Sequence, residues 1–471
     1  MNIKSTPLYE ALKKNREKEP ISFHVPGHKY GQIYKGEDTG FLGLDATEIS
    51  GLDDLHAPEG VIRQAQEQAA DFFGSEETFF LVNGTTVGNM ALLLTVCGPG
   101  DEIIVQRNCH KSVLNGIELA GAKPVFIAPE FEEDTSRYSR VTPSSIQKAL
   151  DQYPESRAVF LTYPDYFGRA YPLREIASVV HSRDIPLLID EAHGVHFHLG
   201  PPFPEPALKA GADAVVQSAH KMAPAMTMAS YLHIKSCRVS SSRLRHYLQM
   251  LQSSSPSYPL MASLDLARDY LQQWSKEDRD TLVSFIKDVR TVFEHYPEHW
   301  RVLPVTPMDD TLKIVLEPET NTGFDVADVL EKQGLVPEMA STRQVLLVLG
   351  LEPYFSLANL KKQLAFVDNK LKKTENHATI KQDQISFPPI QTLEWSYSEM
   401  RDKPVVLMDW NEAEGQAAAE AIIPYPPGIP LVLKGERLSS THIQAVHSLV
   451  EKGARFQNLD MATGVRVFKG E

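Results

Sequence analysis

Three short segments end in residue types that could do chemistry together. Phe80-Leu-Val-Asn-Gly-Thr-Thr86 reads as a strand, a glycine turn and two hydroxyls opening a helix. Gly84 lets backbone approach an anion, and Thr85, Thr86 and the free amides of a helix start can bind phosphate. Leu187-Leu-Ile-Asp-Glu-Ala-His193 ends an apolar run in acids and a histidine. Asp190 is placed there to hold a buried cationic nitrogen. Val215-Val-Gln-Ser-Ala-His-Lys221 ends another run in Ser-x-His-Lys. A lysine just past a buried strand costs desolvation unless it has work or a partner. Burial also lowers its pKa, which favours Schiff-base chemistry.

Each segment alone has a plainer reading: a capped helix, a turn-forming aspartate, a solvated loop lysine. Together, and in this order, they supply a phosphate cradle, an acid for a ring nitrogen and a lysine nucleophile. Pyridoxal phosphate needs that set. Two other readings compete. Asp190-Glu-Ala-His193 resembles a helicase motif, which requires a phosphate loop ending in Gly-Lys-Ser/Thr. The nearest candidate, Gly31 to Gly36, is followed by Glu37, so that reading fails. His193, His196 and His198 form H-x-x-H-x-H, a possible metal group. No further ligand cluster accompanies it, and no metal is expected.

The elements that must position these residues alternate. Val61, Ile62, Ala65, Ala69, Phe72 and Phe73 recur at helical spacing, with Gly74 as a stop. Strand-like runs follow at 78–82, 103–105, 124–127, 158–161, 186–189 and 214–216, separated by helical or loop segments. Apolar strands alternating with helices imply a mostly parallel sheet, with catalytic groups at strand ends. After about residue 300 the rhythm loosens, and 312–316 and 344–349 read as strands of a smaller domain. The polar stretch 372–384 reads as a linker. Four prolines between Pro424 and Pro430 force an extended path.

Composition narrows the class. The 471 residues suggest two or three domains. The formal charge, 47 − 61 = −14, argues against a nucleic-acid surface. Cys97, Cys109 and Cys237 are too few and scattered for a disulfide framework, and free thiols fit a reducing cytosol. The polar N-terminus has no signal-peptide core, and no apolar stretch nears the roughly 20 residues of a membrane span. A cytoplasmic protein is expected.

Longer matches sharpen the reading. Phe23-His-Val-Pro-Gly-His-Lys29, Gly51-Leu-Asp-Asp-Leu-His56, Asn83-Gly-Thr-Thr86, Arg107-Asn-Cys-His-Lys-Ser112, Asp190-Glu-Ala-His-Gly194, Ser218-Ala-His-Lys221, Ser253-Ser-Ser-Pro256 and Pro424-Tyr-Pro-Pro-Gly-Ile-Pro430 span nearly the whole chain. With them the sequence resembles the short bacterial form of the Orn/Lys/Arg decarboxylases, which are fold-type-I pyridoxal-phosphate enzymes. The resemblance implies that Lys221 links to the cofactor, Asp190 pairs with the pyridine nitrogen and His110 stacks on the ring. Gly84, Thr85, Thr86, Ser218 and His220 would surround the phosphate. His193 would lie beside the ring in a positional role. His220 and Lys221 are the candidate proton donors at Cα. Ser254 matches a position that reaches the partner subunit's cofactor, which implies shared sites in a homodimer or dimer of dimers. Glu338, in Leu335-Val-Pro-Glu-Met339, matches the glutamate that meets the substrate's distal cation. Asp45, Glu48, Asp53 and Asp54 either add to that field or cap helices.

The implied architecture is an N-terminal arm (1–55), a large α/β cofactor-binding domain (56–300), a small α+β domain (301–375) and a C-terminal family domain (376–471). The implied reaction is decarboxylation of arginine, lysine or, third in order, ornithine, feeding polyamine synthesis. An aminotransferase of the same fold type is the alternative. Three departures stand out: Ala219, Met228 where glutamine is common, and Asp165 where threonine is common. They bear on fine cofactor contacts, not on class.

Overall fold

The computed structural model describes residues 5–18, 20–34, 40–371, 387–424, 429–451, 454–459, 461 and 463–469. The expected linker at 372–384 and the middle of the proline-rich segment, 425–428, lie outside the described residues.

Helix α1 (Pro7–Glu17) packs on α2 (Val61–Phe73). The apolar stripe read from sequence is the buried face of α2, carried by Ile62, Ala65, Ala69 and Phe73. Gly74 ends the helix at φ +69°, a conformation that glycine adopts without strain, and its amide closes on the Ala70 carbonyl. Asp53 caps the start: its Oδ2 accepts from the amides of Gly60 at 2.8 Å and Ile62 at 3.0 Å. Of the sequence's two options for this acid, capping is the one seen.

Next come β1 (Glu77–Leu81), helix α3 (Gly84–Val96), β2 (Glu102–Gln106), helix α4 (Lys111–Ala120) and β3 (Lys123–Ile127). A small hairpin, β4 (Phe131–Glu132) and β5 (Arg137–Tyr138), precedes β6 (Val159–Thr162), β7 (Leu187–Asp190), β8 (Ala214–Ser218) and β9 (Ser230–Ile234). All six strands expected here are found, within two residues at each end.

A smaller sheet holds β10 (Trp300–Val302), β11 (Lys313–Pro318), β12 (Met339–Ala340) and β13 (Val345–Val348), all antiparallel. The chain then returns, and β14 (Ile390–Thr392) adds antiparallel to β3. Two further strands, β15 (Val405–Met408) and β16 (Val465–Phe468), pair beside a separate C-terminal core that includes Trp410, Val432 and Val446.

The main sheet has the order β1-β9-β8-β7-β6-β2-β3-β14. The run from β8 to β3 is parallel, and β9 and β14 run against it. This is the mostly parallel, helix-flanked sheet of the fold-type-I class. Successive residues of each strand feed opposite cores: Ile104, Val159 and Leu161 one face, Ile103, Val105 and Phe160 the other. Two-sided burial explains why these strands read as unbroken apolar runs. From β2 the chain moves outward to β3 and then back past β2 to β6. In such sheets the ligand crevice lies at this reversal, beyond the C-terminal strand ends. Gln106, Thr162, Asp190 and Ser218 close their strands at that end.

Candidate active site

Asp190 ends β7, 3 % exposed, and each of its carboxylate oxygens accepts one hydrogen bond. Oδ2 accepts from Asn89 Nδ2 at 2.9 Å, and Oδ1 accepts from the Ala192 amide at 3.1 Å. Asn89 is buried on α3 and also donates to Ser112 Oγ at 2.9 Å. The Ser112 hydroxyl lies 2.8 Å from His110 Nδ1, and the Ser112 amide donates to the same nitrogen at 3.3 Å. His110 Nδ1 is therefore the acceptor, and the ring proton sits on Nε2. Burial lowers the His110 pKa, against a raising influence from Asp190, and so favours the neutral ring. The chain His110–Ser112–Asn89–Asp190 fixes a carboxylate and an imidazole on one cavity. Asn89 and Ser112 went unassigned in the sequence. The signal for Asn89 was a lone amide in the apolar helix Val87-Gly-Asn-Met-Ala-Leu-Leu-Leu-Thr-Val96.

Lys221 stands one short helical turn past β8 and lines the same cavity with Thr85, His110, Asp190, His193 and Tyr166. Burial pulls its pKa below the ordinary lysine value, while Asp190 and Glu338 oppose the shift. Its Nζ lies 3.1 Å from His193 Nε2. His193 is held well below its usual value, first by burial and then by Lys221 and Lys313. Lys313 is the residue here that the sequence did not single out: its run, 312–316, read only as a strand of the smaller domain.

The N-terminus of α3 opens beside the same cavity, which Thr85 lines. Thr85 Oγ1 lies 3.1 Å from Ser218 Oγ, and no side chain caps the helix, which leaves its first amides open to an anion. Gly84 differs from expectation. Its amide donates to the Met228 carbonyl at 2.9 Å, and a Cβ would meet open space. The glycine is needed for its φ of +73°, not to let an anion close to its own nitrogen. His220 Nδ1 sits 3.2 Å from the Ala229 carbonyl, which turns that ring toward the backbone of the neighbouring loop.

The rim comes from later parts of the chain. Glu338 is exposed, and its Oε1 accepts from the Tyr166 hydroxyl at 2.6 Å. Ile429, in the proline-rich segment, completes the cavity wall. Arg107 anchors that segment. It reaches the Pro430 and Leu431 carbonyls at 3.3 and 3.2 Å and pairs with Glu436 at 2.6 Å, both side chains buried. The two motifs most specific to the family resemblance are thus one joint.

Ser254, His196 and His198 fall outside this cluster, and Asp165 lies in it without a free acceptor role. Ser254 is exposed and does not line this chain's cavity. His196 turns to Asp310 at 3.2 Å, and His198 packs on Phe72, so the three histidines point to three different partners. Asp165 lines the cavity but is spent locally, accepting from the Phe167 and Arg169 amides and the Ser139 hydroxyl.

Residues 6–322 match the Orn/Lys/Arg decarboxylase major domain, and residues 378–458 match the C-terminal domain of the same family. The chain belongs to the Orn/Lys/Arg decarboxylase family. It is 33% identical to the arginine decarboxylase of Bacillus subtilis, over 100% of this chain and 99% of that one. It is 42% identical to the uncharacterized protein YaaO of the same organism, over 96% of both chains. Lysine decarboxylase A from Pseudomonas aeruginosa superposes with a TM-score of 0.81 at 19% identity, covering 98% of this chain and 80% of that one. The protein is an amino-acid decarboxylase, and its cofactor is pyridoxal phosphate. The cavity fits that group on its own terms: it offers a buried carboxylate, an uncapped helix start with paired hydroxyls and a buried lysine. Asn108 Oδ1 and Thr162 Oγ1, also on the lining, are buried without a protein hydrogen-bond partner.

Proposed function

We propose that the chain decarboxylates a basic L-amino acid, arginine before lysine and ornithine third, to the amine and carbon dioxide, for polyamine synthesis. The observation that carries this reading is the Glu338–Tyr166 pair: Tyr166 lines the cavity that holds Lys221, and its hydroxyl holds the exposed Glu338 carboxylate. An anion oriented by a phenol, set apart from the reacting lysine, suits a substrate with a second, distal cation. Relatives named arginine decarboxylases support the order of substrates.

When bound, pyridoxal phosphate supplies the electron sink for the bond broken at Cα. The chain's own residues do the rest. Lys221 is the covalent anchor, and its lowered pKa keeps the amine available. Asp190, held by Asn89 and the Ala192 amide, keeps a proton on the ring nitrogen. Neutral His110 covers the ring face without adding charge. Thr85, Thr86, Ser218 and the α3 amides receive the phosphate, with His220 beside them. Ser254, exposed and absent from the lining of its own cavity, serves the neighbouring subunit's site in a homodimer or dimer of dimers. Among the described residues no helix is long and apolar enough to cross a membrane, and Cys97, Cys109 and Cys237 are free thiols; both support a cytoplasmic enzyme.

The test offers arginine, lysine and ornithine together to cofactor-loaded protein and quantifies agmatine, cadaverine and putrescine by mass. One dominant amine, lost in Lys221→Ala, is expected. A 2-oxo acid without carbon dioxide would overturn the reading in favour of an aminotransferase.

A further inference from the structure

Lys313 is the second residue of the apolar run Leu312-Lys-Ile-Val-Leu316 and the first of β11 in the small sheet. It is 2 % exposed. Its stem packs so closely on Gly168 that a Cβ there would come within 2.6 Å of Lys313 Cγ. Its Nζ lies 3.3 Å from His193 Nδ1 and 3.4 Å from Met222 Sδ. The other nitrogen of the same imidazole lies 3.1 Å from Lys221 Nζ. One histidine therefore bridges two lysine nitrogens, one from the large sheet's edge of the site and one from the small sheet. Tyr166 packs edge-on against the ring at 4.4 Å between centroids and holds its plane.

We infer that Lys313 is a positioning residue: it donates to His193 Nδ1, fixes the imidazole as the Nε2–H tautomer, and so turns a hydrogen-bond donor onto the Lys221 nitrogen. The argument is a count of donors and acceptors. An ammonium has donors only, so the ring nitrogen that faces it accepts and carries no proton. A neutral imidazole then carries its one proton on the other nitrogen. Neutrality follows from what faces His193: burial, then Lys221, Lys313, His196 and His220 all disfavour the cation. Lys313 itself is pushed down by burial to about 8, with Lys221 also lowering it and Asp310, Glu338 and Asp165 raising it. Its Nζ also faces Met222 Sδ, which can only accept, so both of its polar neighbours take a proton from Lys313. The donor so placed is satisfied only by a nitrogen with a lone pair. It favours Lys221 as free base over ammonium, against the opposing pull of Asp190 and Glu338.

The inference rests on Lys221 as the cofactor's attachment point, and borohydride reduction followed by peptide mapping of the holoenzyme tests that separately. Cofactor mapped to another lysine would sink the site assignment itself. With Lys221 mapped, ring ¹⁵N shifts of the histidine-labelled holoenzyme, assigned by difference against His193→Gln, report the tautomer. Protonated Nε2 is expected; protonated Nδ1 overturns the inference alone. Lys313→Met adds a second readout. The pH transition of the holoenzyme's visible absorbance should rise by about one unit, a tenfold change in the protonation ratio at fixed pH. At the same time kcat should fall roughly 100-fold, the lower end of what a placed proton donor contributes. Lys313→Gln keeps a donor without the charge and should shift the transition less. An unshifted transition in a folded Lys313→Met holoenzyme would also overturn the inference. Should neither variant fold, the wild-type shifts decide it.

Discussion

The floor and the rim of the cavity are built differently. The floor, at the C-terminal ends of parallel strands, comes from about 140 consecutive residues, Thr85 to Lys221, in one sheet and its helices. Its polar groups are tied to one another, as His110, Ser112, Asn89 and Asp190 show. The rim is assembled from distant chain: Glu338 from just before β12 and Ile429 from the C-terminal part, with Lys313 of β11 buried behind His193. Its parts are tied to the floor one contact at a time. On the proposed function, this division would put cofactor chemistry on the interlinked base and substrate choice on pieces that can vary without disturbing it.

Substituting the floor should abolish chemistry. Lys221→Ala is expected to lower kcat by roughly 10⁴-fold or more and to remove the visible cofactor band, read by absorbance and product mass. Residual turnover within tenfold of wild type would remove Lys221 from the mechanism. The joint under the rim comes next. Glu436→Gln leaves Arg107 buried and poorly paired, which should cost about 3 kcal/mol and loosen the C-terminal part while the floor stays folded. Limited proteolysis and denaturant midpoints check this.

The same joint has a pH signature. Burial works to raise the Glu436 pKa, but Arg107 and the Leu433 amide outweigh it, and the net shift is down from 4.5. A depressed acid contributes stability that is present above its unfolded pKa and lost as pH falls through the folded one. Protease susceptibility of the C-terminal part should therefore rise below about pH 4.5 and change little between pH 6 and 8.

Glu338→Gln tests the rim as selector. Removing a charge-assisted contact should lower kcat/KM for arginine and lysine roughly 10- to 100-fold, with the cofactor band unchanged. A fall of equal size in cofactor affinity would erase the distinction between rim and floor. The smallest effect lies away from both: Asp53→Ala loses four amide contacts at the start of α2 and should cost about 1 kcal/mol in thermal stability without altering kcat.

The floor was legible because its residues follow apolar runs directly: Asp190 and Lys221 announce strand ends, and Gly74 announces a helix end. The rim was less so. Lys313 hides inside an apolar run, since a stretch with one lysine reads as a half-exposed strand. Arg107 and Glu436 lie 329 residues apart, and nothing local in either predicts the other. Strand β9 was missed for a related reason. Its His233 looks like a surface residue, yet it is buried between Thr78 Oγ1 at 2.8 Å and Gln217 Oε1 at 3.0 Å. Buried polar residues with distant partners are invisible to periodicity. Glu338 was reachable only through resemblance, because a lone exposed acid carries no pattern of its own.

The return of the chain to add β14 beside β3 has a consequence for biosynthesis. Between Ile127 and Ile390 the ribosome must make 263 further residues, roughly 13 to 50 s of translation. Throughout that interval the outer hydrogen-bonding groups of β3 lack their eventual neighbour and can pair with another nascent chain. A product truncated before residue 390 would keep that edge bare permanently. Yield in the soluble fraction should therefore depend on the last eighty residues more steeply than their contribution to the cavity alone would suggest.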